Sequence, residues 1–322
     1  MSAIETDGLT KDYAVGFWRP RPFRVLDRVT LRVEPNEVFG FLGPNGAGKT
    51  TTLKLLMQLM YPTAGRCTIL GRPAGDPEVR RRIGFLPEAP YFYDYLTAEE
   101  LLGYFAGLFG LKGVERRKRV SAVLDRVGIG GERRLALRKF SKGMLQRVGL
   151  AQALVNEPDV IVLDEPMSGL DPIGRRDVRA LILELRDRGC TVFFSSHILS
   201  DAETLCSRVG ILVGGQVVAT GRLSEMLAFN VSGWELVFSG LGADAAGGLG
   251  PGIRRVTPIA DGRVTMELHA DADPERIVAA ARALGGRIVS LNPVRTTLED
   301  FFVEQVRARQ AVQGDGRFMP EG

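Results

Sequence analysis

The sequence has 322 residues, 45% hydrophobic and 25% charged, which suits a globular chain of two domains and excludes a disordered or fibrous one. Its formal charge is only +4, with 42 basic against 38 acidic residues, which argues against a protein built to coat nucleic acid. Cys67, Cys190 and Cys206 are far apart and lack Cys-x-x-Cys or Cys/His spacing, so a reducing compartment is expected and a structural zinc is not.

In chain order, residues 16–24 read as an aromatic, arginine-rich loop inserted between the first strands. Residues 25–42 read as strands turning near Pro35-Asn36 and ending in the apolar run Val38-Phe39-Gly40-Phe41-Leu42, which enters a Gly-rich loop. A helix is expected from Thr50, with Leu53, Leu56, Met57 and Met60 at helical spacing and a stop at Pro62 and Gly65. Thr97 with Glu100 makes a capping box for a helix over 98–109, and 112–128 reads as a second, strongly basic helix. The stretch from about 89 to 156 is therefore mostly helical.

Val160–Leu163 and Thr191–Phe194 are short β-rich runs on either side of an amphipathic helix carrying Val178, Leu181, Ile182 and Leu185. Such alternation predicts an α/β fold with a parallel sheet flanked by helices. Residues 209–220 read as a hairpin turning at Gly214-Gly215, closing a first domain over 1–228. Beyond it, strand-like runs at 234–238 and 263–268, a Gly/Ala loop at 242–252 and a helix near 274–284 suggest a small α+β domain over 229–309. The polar tail 310–322 is expected to be disordered.

Gly43-Pro44-Asn45-Gly46-Ala47-Gly48-Lys49-Thr50 fits the phosphate-loop pattern G-x-x-x-x-G-K-S/T, and it lies between an expected strand and an expected helix, as the mechanism requires. Its glycines let backbone N–H groups turn toward phosphates, and the helix N-terminus, with Thr51 beside it, adds partial positive charge. Lys49 would reach the terminal phosphates of ATP, and Thr50 would ligate Mg2+. The apolar run Val160–Leu163 ends in Asp164-Glu165, two carboxylates at the carboxyl end of a sheet strand. Asp164 is expected in the Mg2+ shell, and Glu165 is expected to orient and deprotonate the attacking water.

Further segments carry a resemblance. Phe140-Ser141-Lys142-Gly143-Met144, followed by Leu145-Gln146-Arg147, is similar to the signature segment of ABC transporter ATPase subunits, and Ser168-Gly169-Leu170-Asp171 to their D-loop. His197 matches the family's switch histidine, Tyr13 its adenine-stacking aromatic, and Glu88 stands where the family usually has a metal-contacting glutamine. Lys142 and Met144 depart from the commonest signature and look like an exporter variant. Ser141 and Asp171 also read simply as a helix cap and a turn. The resemblance covers residues 5 to about 225, and the end of the chain looks like the appendage of type-two exporters.

The resemblance implies a phosphate-loop ABC ATPase domain with a mostly parallel sheet core, an antiparallel β part and a helical subdomain over about 89–156. It implies that Ser141, Lys142, Gly143 and Met144 reach ATP bound to an opposite subunit, that Ser168–Asp171 couple the two sites, and that Lys49, Glu165 and His197 act in catalysis. The partners implied are a second copy in a head-to-tail dimer and a multi-span membrane permease; nucleic acid is disfavoured. No stretch approaches the roughly 18–20 apolar residues needed to cross a bilayer, and residues 1–10 carry no export signal. The expected location is therefore cytoplasmic, held to the inner face of the membrane through the permease. The alternative is a soluble ABC-type ATPase that remodels ribosomes or nucleic acid.

Overall fold

The computed structural model describes residues 2–16, 18, 20–226, 231–295 and 298–303. They divide into an amino-terminal unit that ends at Leu223 and a carboxy-terminal unit that begins at Ser224.

The amino-terminal unit opens with the antiparallel pair β1 (Ile4–Val15) and β2 (Arg21–Val33). The loop expected over 16–24 is thus shorter: Arg21 to Arg24 pair with Val15 to Asp12. Cross-strand partners explain the extension, since Phe23 faces Tyr13 and the Arg24 guanidinium lies 2.9 Å from Asp12. Next come β3 (Val38–Leu42) and α1 (Lys49–Leu56), whose start precedes Thr50 by one residue. The helix ends well before Pro62, because Gln58 turns left-handed at φ 52. Met57 and Met60 still pack on the core, but from the turn.

β4 (Ala64–Ile69) and β5 (Arg72–Pro73) complete an antiparallel sheet of order β2-β1-β4-β5. After α2 (Pro77–Arg80) and β6 (Ile83–Leu86) come the helices α3 (Ala98–Leu108), α4 (Gly113–Arg126) and α5 (Lys142–Leu154). α3 starts with the full Thr97/Glu100 capping box. Then follow β7 (Val160–Asp164), α6 (Pro172–Asp187), β8 (Thr191–Ser196), α7 (Leu199–Leu205), β9 (Arg208–Val213), β10 (Gln216–Arg222) and α8 (Leu223–Met226).

The second sheet has the order β10-β9-β3-β8-β7-β6, with only β10 antiparallel to its neighbour. Every residue of β3, β7 and β8 is buried, which is why these strands read as continuous apolar runs rather than alternating ones. Phe193 of β8 stacks on Phe39 of β3 at 5.7 Å between centroids and lies tilted against Phe41 at 5.5 Å, each burial contributing about 1.5–3 kcal/mol. Leu53, Leu55 and Leu56 of α1 and Leu9, Leu26 and Val29 of the antiparallel sheet join the same core. Because β3, β8 and β7 are adjacent and parallel, the loops that follow them emerge at one edge.

The carboxy-terminal unit contains β11 (Val231–Ser239), α9 (Ala243–Gly247), β12 (Ile253–Ile259), β13 (Arg263–His269), α10 (Pro274–Ala283) and β14 (Arg287–Arg295). Its antiparallel sheet, ordered β12-β13-β11-β14, has the β-α-β-β-α-β arrangement of a ferredoxin-like fold. Leu236, Phe238, Val264, Met266 and Leu268 meet Ile277 and Ala281 of α10 in its core. The expected Gly/Ala loop at 242–252 holds a helical turn, α9. β12 and β14 also go beyond the expectation: both are edge strands with largely exposed side chains and weak alternation. The tail 310–322 lies outside the described residues.

Candidate functional site

The fully buried β3 delivers the chain into Gly43–Gly48 at the edge of the sheet. Gly48 caps α1 with φ 106, and no side chain takes the helix's first N–H groups, so they remain open to an anion. A Cβ on Gly43 would lie 2.4 Å from the Leu212 carbonyl oxygen, so only glycine fits this approach of loop to β9. Lys49 is buried, and its Nζ donates to the carbonyls of Gly43 at 2.8 Å and Pro44 at 3.3 Å. The same ammonium lies 3.4 Å from Glu165 Oε1.

Glu165 follows the last residue of β7 in the left-handed region, φ 49, a conformation that costs a non-glycine residue about 1–3 kcal/mol. Three neighbours hold it there. Its N–H donates to Ser195 Oγ at 3.0 Å, and that hydroxyl in turn donates to Asp164 Oδ1 at 2.6 Å. His197 Nδ1 lies 2.9 Å from Oε2. An ionised carboxylate only accepts, so Nδ1 carries the proton of this bond and Nε2 of a neutral ring is left as an acceptor. Glu165 is itself buried whereas His197 is exposed.

Lys49 and Glu165 share a cleft of about 350 Å³ with Pro44, Asn45, Gly46, Gly48, Thr50, Thr51, Glu88 and Val25 of β2. The buried Ala47 backs this loop, its carbonyl accepting from the Gly215 N–H. Asp164 is 1% exposed and sits behind Glu165, spoken for by Ser195. Tyr13 is not among the residues lining the cleft: its hydroxyl contacts Met60 Sδ at 3.3 Å, and the Lys11 ammonium lies 5.4 Å from its ring centroid. Among the described residues no group of three or more His, Cys, Asp or Glu side chains converges to hold a metal ion.

The signature residues lie elsewhere in the chain. Ser141, Lys142, Gly143 and Met144 line a second cleft, of about 540 Å³, with Gly169, Leu170 and Asp171. Ser141 caps α5, its Oγ accepting from the Met144 N–H at 3.2 Å, and Asp171 caps α6 by accepting from the Gly174 N–H at 2.8 Å. The simple capping roles of both residues are therefore real. Lys142 runs along Gly169, whose φ is 71, and Gly143 faces Leu170. The two clefts share no lining residue. They are nevertheless joined through the backbone: the Ser168 N–H donates to the Glu165 carbonyl at 3.0 Å, and the buried Gln146 on α5 donates to the Pro166 carbonyl at 3.2 Å.

Sequence reasoning misses Ser195 and Val25. The available signal for Ser195 was a pair of serines ending a β run directly before a histidine. Val25 gave none, since its role depends on where β2 crosses the loop.

The ABC transporter family profile matches residues 26–168. An ABC transporter ATP-binding protein of Synechocystis is 44% identical over 310 residues, covering 96% of this chain and 86% of the relative. The bacitracin transport ATP-binding protein BcrA of Bacillus licheniformis is 41% identical, covering 67% of this chain and 68% of its own. Among solved structures, an ATP-binding subunit of an ABC transporter superposes with TM-score 0.63 at 33% identity, covering 70% of this chain and 92% of that one. A dimeric ATP-binding cassette in a post-hydrolysis state, bound to ADP and Pi, superposes with TM-score 0.63 at 28% identity, covering 68% of this chain and 98% of that one. The phosphate loop, the carboxylate pair and this degree of likeness together place the chain in the ABC transporter family, as one of its ATP-binding subunits.

Proposed function

We propose that this chain hydrolyses ATP to drive export through a separate multi-span membrane permease, working as a head-to-tail dimer on the inner face of the membrane. The observation that carries the reading is the separation of the two clefts: Lys49 and Glu165 line one, Ser141 and Gly143 the other, and they share no residue. A second copy turned head to tail sets the signature cleft of one chain over the phosphate loop of the other, and one ATP then touches both. The relatives that transport bacitracin, and the solved cassette that is dimeric, support this arrangement.

In this reading the open N–H groups of the loop and of α1 cradle the phosphates, while Lys49 exchanges its loop carbonyls for phosphate oxygens. Thr50 and Glu88 from the cleft, and Asp164 from behind Glu165, would hold Mg2+, which favours hard oxygen donors of this kind. When bound, that ion would neutralise charge on the phosphates. Glu165 orients a water and takes its proton as the new P–O bond forms and the bond to the ADP oxygen breaks. His197, through Nδ1–H, holds Glu165 in place. Tyr13, which lies outside the cleft lining, is proposed to stack on the adenine once nucleotide is bound, and Ser168 to Asp171 to couple the two copies.

Among the described residues no helix is long and apolar enough to cross a membrane, and the proposal assigns the transport path to another subunit. The test is to tag the protein at Gly322, solubilise native membranes gently and identify what copurifies. A stoichiometric multi-span protein is expected. Ribosomal or DNA-bound proteins without a membrane partner would overturn the transport reading in favour of a soluble remodelling ATPase.

A further inference from the structure

Among the described residues four charged side chains are buried: Lys49, Asp164, Glu165 and Asp201. Three of them form the phosphate site. Asp201, only 1% exposed, has no place in the chemistry above. It lies on α7, four residues beyond His197, and its Oδ1 accepts from Arg179 Nη2 on α6 at 2.5 Å. Arg179 Nε and Asp201 Oδ2 are both buried without a hydrogen-bond partner. These two atoms are the complementary half of an arginine–carboxylate fork, so the pair is held through one contact where the chemistry allows two.

With Asp201 buried and Arg179 about one-third exposed, the pair is a poor source of stability, because desolvating the carboxylate offsets much of the attraction. Directional control is the better account of its presence, and the surroundings show what it directs. β8 ends at Ser196 and α7 begins at Leu199, so His197 and Ile198 alone span the gap. One end of that span is fixed by Ser195, which bonds both Asp164 and Glu165. Ser196 Oγ tightens the span by accepting from the Ile198 N–H at 2.9 Å. The other end is α7, which packs on β3 and β8 and is tied to α6 through Asp201. α6 in turn starts at the Asp171 cap, in the cleft that holds the signature segment.

We infer that Asp201 is a positioning residue for His197, and that the Arg179–Asp201 pair ties the imidazole to the helix that begins at Asp171. A shift of α6 when Asp171 meets a second copy is carried to the Glu165 side chain through this tie, with the free half of the fork ready to close. The inference rests on the role proposed for His197.

The test is steady-state ATPase kinetics on the full-length protein with H197A, D201N, R179K and the double variant H197A/D201N, with nucleotide binding used to count active sites. D201N keeps the shape and one acceptor oxygen for Arg179. It is expected to lower kcat about 10-fold and to leave KM for ATP within about 2-fold, since the phosphate loop is untouched. R179K, which keeps the charge and loses the fork, should fall between D201N and the wild type. The double variant should be no slower than H197A alone, because residues acting as one unit are not additive. A folded D201N with wild-type kcat, or a double variant slowed by the product of the single effects, overturns the inference and leaves the function standing. A wild-type rate in H197A overturns the histidine's role and this inference with it. Should D201N not fold, R179K alone and combined with H197A carries the same comparison.

Discussion

At the scale of single residues, the site depends on Glu165 being held in a backbone conformation that few side chains adopt. Its φ of 49 is stabilised from outside by the Ser195 hydroxyl, which bonds the Glu165 N–H and the Asp164 carboxylate at once. S195A removes both bonds without touching the phosphate loop. It is expected to lower kcat by about 10- to 100-fold with little change in ATP affinity, the range typical of losing a group that orients a reacting one. Single-turnover hydrolysis compared with equilibrium nucleotide binding separates the two effects. The groups proposed to react were legible in the sequence because the spacing such chemistry needs is local: Lys49 follows the loop glycines, and Asp164-Glu165 ends a strand. Ser195 was not, since it acts across the register Asp164↔Ser195 between β7 and β8, which no local spacing encodes.

At the scale of elements, local signals were reliable where one residue fixes a boundary. The Thr97/Glu100 box starts α3, with Thr97 N–H and hydroxyl both donating to Glu100 Oε2 at 2.9 Å and the Glu100 N–H returning to Thr97 Oγ1. These bonds, backbone first and then side chain, are made to the charged carboxylate and hold Glu100 below its ordinary value of 4.5. Their support is therefore full above that value and is lost as pH falls through the lowered one. T97A is expected to cost about 1 kcal/mol in urea unfolding at neutral pH, and the gap between variant and wild type should narrow on acidification below 4.5. A gap independent of pH would contradict the capping box. Where tertiary pairing decides, the sequence was a poor guide. Arg21 to Arg24 join β2 only because Val15 to Asp12 lie opposite, and β12 and β14 are visible only beside β13 and β11.

At the scale of the whole molecule, the amino-terminal unit carries the loop residues and the signature residues in two separate clefts, and its sheet order explains why. β3, β8 and β7 gather the phosphate loop, His197 and the Asp164-Glu165 pair at one edge, while the signature segment begins α5, outside that sheet. The parallel core was readable from alternating apolar runs and amphipathic helices, whereas the clefts' separation was not, since it depends on three-dimensional placement. In the proposed reading a complete site therefore requires two chains. The measurement that tests this most directly is sedimentation of E165Q with and without ATP. Replacing the proposed base by its amide keeps the phosphate loop intact and should block turnover, so the variant is expected to bind ATP and run as a dimer with it and as a monomer without it; K49A should neither bind ATP nor dimerise. E165Q that binds ATP stoichiometrically yet stays monomeric, or that hydrolyses it at the wild-type rate, would contradict the account.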